Sequence, residues 1–221
     1  MKNKKIEIAD VIIYILLSMS ALSCLIPLIH VVACAIASPA DMASSSFLLF
    51  PKEFSFSAIQ YILDTPTFPR SLWNSTWTTM VATTFSMIAT TLLAYPLAHT
   101  DLHGRSLIMF LLVFTMIFNP GLIPGYLNVK RLNLLDTWWS LLIPQKISTY
   151  NLILVKNYFQ SIPTELRESA KCDGAGDFRI YWQIILPLAK PVLATVALFY
   201  AVGNWNSYLN AILFVLVLMT M

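Results

Sequence analysis

The densest group of chemistry-bearing side chains lies between Glu165 and Pro187, in the stretch ELRESAKCDGAGDFRIYWQIILP. Glu165, Glu168, Asp173 and Asp177 are carboxylates, and Arg167, Lys171 and Arg179 are interleaved with them. Carboxylates do acid–base work when they are held at one reacting centre with a tuned pKa. Alternation with cations points instead to a solvated, charge-balanced surface, so a membrane enzyme using these four carboxylates stands only as an alternative. A second group is YAVGNWNSYLN, which places Asn204, Trp205, Asn206 and Tyr208 close together. Aromatic faces stack on the C–H surface of a sugar and amides bond its hydroxyls. The same tryptophan and tyrosine would also suit an interfacial belt. Asn119, Lys146 and Asn151 add isolated polar groups within otherwise apolar segments. A lysine inside a span is a functional hypothesis by default, although Lys146 could equally sit at the outer surface. His99 and His103 with Asp101 between them are too few to close a metal site, and Cys24, Cys34 and Cys172 form no CxxC pair. No metal is expected.

The elements that must position these residues are membrane helices. The chain has 221 residues, 57% of them hydrophobic and 11% charged, with a mean hydropathy of +0.70. Soluble domains carry about 25% charged residues, so an all-α integral membrane protein is expected. A net charge of +3 is too small to suggest nucleic acid as a partner. Apolar runs place five spans at about 11–37, 74–99, 106–127, 138–159 and 188–209, within a single transmembrane domain covering 1–221. The first run is too long for the apolar core of a signal peptide and is read as a retained anchor. With the N-terminus inside, nine lysines and arginines fall on the inner side (Lys2, Lys4, Lys5, Arg105, Lys156, Arg167, Lys171, Arg179, Lys190). Lys52, Arg70, Lys130 and Arg131 fall outside, which favours a cytoplasmic N-terminus. Pro120, Gly121, Pro124 and Gly125 interrupt the third span and Pro144 the fourth. Broken backbone at membrane depth is tolerated where it lines a water-filled cavity.

The charged stretch sits in an inner loop of about 160–187. From Pro163 to Asp173 it predicts a helix of about three turns, roughly 16 Å long. Proline suits the first turn, Glu165 and Glu168 lie at the positive end of the dipole, and Gly174 suits the left-handed stop.

Glu168-Ser169-Ala170, three residues, Gly174, nine residues, Ile184, one residue, Leu186-Pro187 resembles the EAA-x3-G-x9-I-x-LP pattern. That pattern marks permease subunits of type I importers of the ATP-binding-cassette class (the MetI-like superfamily). The only departure within it is Ser169 where alanine is usual. The flanking segments are similar to the carbohydrate branch, close to the maltose-type second permease, and the likeness covers most of the chain from about Ala58 onward. What the resemblance implies is one membrane-spanning half of a sugar or oligosaccharide importer in the bacterial plasma membrane. The segment 163–174 would be a coupling helix docked on an ATPase dimer. Glu168, Ser169, Ala170 and Gly174 would contact or shape the docking site, with Asp173 a charge at its edge and Ile184, Leu186 and Pro187 completing the motif. Further partners would be a second permease subunit and an extracytoplasmic sugar-binding protein. No cofactor would be bound directly, because ATP and Mg would be held by the ATPase. Asn119, Lys146, Asn151, Asn204, Trp205, Asn206 and Tyr208 are the candidate pathway residues. Subunits of this family usually continue to a sixth span, whereas AILFVLVLMTM is apolar where an outer loop is expected. A truncated, non-transporting relic is therefore a further alternative.

Overall fold

A computed structural model of the chain describes residues 8–44, 47–118, 120–144 and 147–215. Asn119 and Lys146 lie outside the described residues. The fold is all-helical, and the described residues contain no strand, only an isolated antiparallel bridge between Ala37 and Phe54. The chain divides into two compact units, residues 1–72 and 73–221.

The first unit begins with α1 (Ile8–Ala35), an apolar helix long enough to cross a bilayer. It is followed by α2 (Pro39–Ser44) and α3 (Ser57–Asp64), with a loop between them whose residues 47–56 are described. One buried carboxylate organises that loop. Asp41 Oδ2 accepts the backbone N–H groups of Lys52 at 2.8 Å and Glu53 at 2.9 Å. The Ser38 N–H reaches Glu53 O and the Ser55 N–H reaches Ile36 O, closing the bridge. The His30 ring stacks on Phe47 at 4.7 Å, with Nδ1 2.8 Å from Leu48 O. A hydrogen bond to a charged group is worth about 1.5–3 kcal/mol. Asp41→Ala should therefore release the loop: limited proteolysis is expected to cut between Ser38 and Ser55 several-fold faster than in the wild type. Equal rates would show that the carboxylate does not hold it.

The second unit is built on α4 (Thr67–Ala98) from Trp73 onward, the other helix long and apolar enough to span. Its buried residues Ala82, Ser86, Thr90, Thr91, Ala94 and Leu97 repeat at helical spacing. Small side chains on one stripe let neighbouring helices approach closely, which is how membrane helices pack without a hydrophobic driving force. Next come α5 (Arg105–Ile117) and α6 (Leu122–Arg131), bent by 118° at the Pro120-Gly121 break, where Gly121 has a φ of +81°. Then follow α7 (Trp139–Leu142) and α8 (Thr149–Ser161).

The charged segment forms α9 (Thr164–Cys172), α10 (Asp177–Ile180), a π turn (Tyr181–Ile185) and α11 (Leu186–Leu188). Pro187 explains the π turn. It has no N–H to offer the Gln183 carbonyl and its ring crowds that group, so the preceding turn widens and the Leu186 N–H reaches Tyr181 O. An 82° bend leads into α12 (Lys190–Trp205), and α13 (Tyr208–Phe214) follows. The unit's core joins Ala94 and Leu97 of α4, Leu152, Val155 and Phe159 of α8, Ile180 and Ile185 of the charged segment, and Val196 and Tyr200 of α12.

Five spans are expected from the apolar runs; the described residues contain two unbroken spanning helices, or up to four if each bent pair counts as one. The difference has a local cause. The fourth run holds two short helices, one of 4 residues ending before Pro144 and one of 13 residues starting at Thr149, and neither alone crosses a bilayer.

Candidate functional site

The second unit carries a compact knob whose shape follows from its cap. At the end of α9 the Gly174 N–H donates to Lys171 O at 3.0 Å and the Ala175 N–H to Ala170 O at 2.9 Å. Gly174 has a φ of +79°. These two bonds form a Schellman motif, which requires a residue free of the left-handed penalty at the glycine position. Its hydrophobic counterpart is also present, since Ala170 and Ala175 both pack on the core. Two members of the sequence pattern, Ala170 and Gly174, are thereby explained by one cap. Ile184 and Leu186 pack on the same core, and Pro187 sits exposed just past the π turn. Glu168, Ser169 and Asp173 face outward and are exposed, so the knob offers a polar surface around a shallow small-residue patch.

Glu165, Glu168, Asp173 and Asp177 are all exposed and do not converge on one centre. Asp177 pairs with Lys171 at 3.1 Å on the surface, where screening makes such a pair worth little. The arrangement suits a contact surface and does not provide acid–base chemistry.

Polar side chains also fix the C-terminal end of α4, whose last carbonyls would otherwise lack partners. Arg105 Nε donates to Leu97 O at 2.9 Å, Gln160 Nε2 donates to Ala98 O at 3.2 Å, and His99 Nδ1 lies 2.7 Å from Tyr95 O.

The broken helices line an open cavity of about 980 Å³. Pro120, Gly121, Pro124, Gly125 and Asn128 contribute one wall; Ser140, Pro144, Ser148, Tyr150 and Asn151 a second; and Phe199, Tyr200, Gly203, Asn204, Ser207 and Asn210 a third. Among the described residues no charged side chain lines it. Of the candidate pathway residues, Asn151 and Asn204 line the cavity. Asn151 is buried, and Asn204 Nδ2 donates to Thr83 Oγ1 at 3.2 Å. Trp205, Asn206 and Tyr208 are exposed and lie off the cavity, with Asn206 Nδ2 turned back onto Val202 O. Sequence reasoning passed over Asn128, Ser140 and Gly203. The Pro/Gly breaks were the available signal for this region, but no local pattern ties Ser140 to residues some sixty positions away.

Comparison with known proteins fits this geometry. Residues 105–221 match the family described as binding-protein-dependent transport system inner membrane component. The polygalacturonan/rhamnogalacturonan transport system permease protein YtcP of Bacillus subtilis (strain 168) is 47% identical over 214 residues, covering 97% of this chain and 74% of its own. Protein LplC of the same organism is 47% identical over 191 residues, covering 86% of this chain and 65% of its own. A solved structure described as a bacterial ABC transporter involved in the import of the acidic polysaccharide alginate superposes with a TM-score of 0.85. It is 35% identical, and the match covers 92% of this chain and 74% of that one. The capped knob, the broken helices and these likenesses agree: this chain belongs to the family of inner membrane components of binding-protein-dependent transport systems, a permease subunit and not an enzyme.

Proposed function

We propose that this chain is one membrane half of an ATP-driven importer of acidic oligosaccharides. Membership of the family implies an ATPase and a binding protein as partners. The observation that carries the sugar reading is the cavity: its volume lies in the range of about 300–1,000 Å³ usual for ligand sites. Its lining combines amides, hydroxyls and aromatic faces, the groups that bond and stack on a carbohydrate. The acidic class is supported by the relatives, whose names speak of polygalacturonan, rhamnogalacturonan and alginate. Asparagine and serine can donate to a uronate carboxylate, and Lys146 lies in sequence between the lining residues Pro144 and Ser148.

In this reading α9 docks in a groove of the ATPase through Glu168, Ser169, Ala170, Asp173 and Gly174. ATP and Mg are held by the ATPase dimer, whose closure pushes the knob. The cavity is completed by a second permease subunit, and a binding protein outside delivers the sugar. The N-terminus is cytoplasmic, as the distribution of lysine and arginine favours.

The test is uptake by the assembled transporter in proteoliposomes with each of two labelled sugars: a short oligogalacturonate and a neutral oligosaccharide of the same length. Unlabelled oligogalacturonate is expected to inhibit uptake of its labelled form far better than the neutral sugar does. Equal inhibition by both would reject the acidic class, and no uptake of either would reject the carbohydrate reading.

A further inference from the structure

We propose that two buried tyrosine–threonine pairs, Tyr181–Thr91 and Tyr200–Thr90, are the positioning contacts through which movement of the docking segment reaches the cavity wall. Thr90 and Thr91 are consecutive residues on the buried face of α4, and each meets a tyrosine from a different element. The Tyr181 hydroxyl, on the π turn beyond the docking helix, donates to Thr91 Oγ1 at 2.8 Å. Thr91 Oγ1 in turn donates to Met87 O at 2.8 Å, so its single proton is already committed and the tyrosine must be the donor. Thr90 Oγ1 lies 2.7 Å from the Tyr200 hydroxyl. That hydroxyl also accepts the Ser148 N–H at 3.0 Å. Ser148 caps α8 and lines the cavity, as does Tyr200 itself. The two pairs thus join three elements: the docking segment, α4, and the α8–α12 wall of the cavity.

These contacts are costly to break. All four side chains are buried, with Thr90 at 0% exposure and Tyr181 at 4%, so a hydroxyl left without its partner carries a desolvation cost, most of all at the Tyr181–Thr91 pair away from the cavity. Packing alone would be met by alanine or valine on α4, and the hydroxyls are what the tyrosines use. The seam also holds unspent capacity. The Tyr95 hydroxyl, one turn along α4, and Arg167 Nε on the docking helix are both buried without a hydrogen-bond partner among the described residues. The Tyr95 ring lies 5.2 Å from that of Tyr181. Buried polar atoms left open beside a paired set are available as partners in a second arrangement of the contact.

This inference rests on the docking role proposed above. The experiment uses the assembled transporter, with both permease halves, ATPase and binding protein, in proteoliposomes. It compares Tyr181→Phe, Thr91→Val, their double variant and Thr91→Ser. The readouts are ATPase retained on the complex and sugar taken up per ATP hydrolysed. Each hydroxyl deletion is expected to lower uptake per ATP by about five- to tenfold with the ATPase still bound. The double variant should be no worse than either single one, and Thr91→Ser, which keeps the hydroxyl, should restore most of the loss. Unchanged uptake per ATP, or losses that multiply in the double variant, would overturn the proposal. If Tyr181→Phe does not assemble, Tyr200→Phe makes the same test from the cavity end, and unchanged uptake per ATP there overturns it equally. Failure of the docking role reads differently: variants of Gly174 would then leave both ATPase binding and uptake untouched.

Discussion

Gly174→Val is expected to abolish ATP-driven uptake and to release the ATPase from the purified complex, whereas Gly174→Asn keeps a substantial part of both. The contrast isolates a conformational cause. A Cβ at position 174 would meet nothing within 4 Å, so added bulk within this chain is not the obstacle. The obstacle is the φ of +79°, which costs an ordinary residue about 1–2 kcal/mol. The cost is larger for a β-branched side chain and smaller for asparagine, which tolerates the left-handed region. Without that conformation the two cap bonds to Ala170 O and Lys171 O cannot form together, and the last turn of α9 loses its place against the core. At roughly tenfold per 1.4 kcal/mol, the strain alone weakens docking about tenfold, before any misplacement of Glu168 and Ser169 is counted. Co-purification of the ATPase with each variant, followed by uptake, checks it. A valine variant that transports like the wild type would show that the cap does not shape the docking surface.

Gly203→Leu should have the opposite profile: an intact, ATPase-bound complex that hydrolyses ATP but takes up sugar at least about tenfold more slowly. Gly203 lies inside α12 and lines the cavity, with open space where a Cβ would stand. Replacing a glycine within a helix improves backbone propensity by up to about 1 kcal/mol, so the fold has no local reason to fail. The new side chain projects into the space that the sugar would occupy and puts an apolar group beside Asn204 and Ser207. Larger sugars should suffer more than small ones, because steric exclusion grows with the ligand's size. The measurement is uptake of an oligosaccharide length series, normalised to the amount of assembled complex. Length-independent, wild-type uptake would remove the cavity from the transport path.

The capped helix α9 was legible in the sequence because its causes are local. A proline, first-turn carboxylates, small residues and a glycine at the cap position act within one helix and its stop, so their order along the chain carries the geometry. The structure added the reason for two of the pattern's members: Ala170 supplies both an acceptor and a packing surface, and Gly174 supplies the left-handed turn. The membrane class was equally legible, since long apolar runs and scarce charge need no tertiary information. The Pro/Gly interruptions marked the region of the cavity.

The cavity itself was decided by tertiary structure. Its walls come from segments between Pro120 and Phe214, and whether an amide lines the space or faces away depends on helix rotation. Asn204 and Asn206 differ by two positions, about 200° around a helix axis, and only Asn204 faces the cavity. Neighbouring polar residues therefore cannot be assigned from composition alone. The tyrosine–threonine pairs span 90 and 110 positions, and a threonine-rich helix looks the same in sequence whether its hydroxyls turn back to their own backbone or receive a distant tyrosine. Contiguous sequence thus determined the knob and the solvent in which the chain lives. Packing between remote helices decided which polar groups meet, because the burial that makes a hydroxyl pair matter is a property of the assembled core.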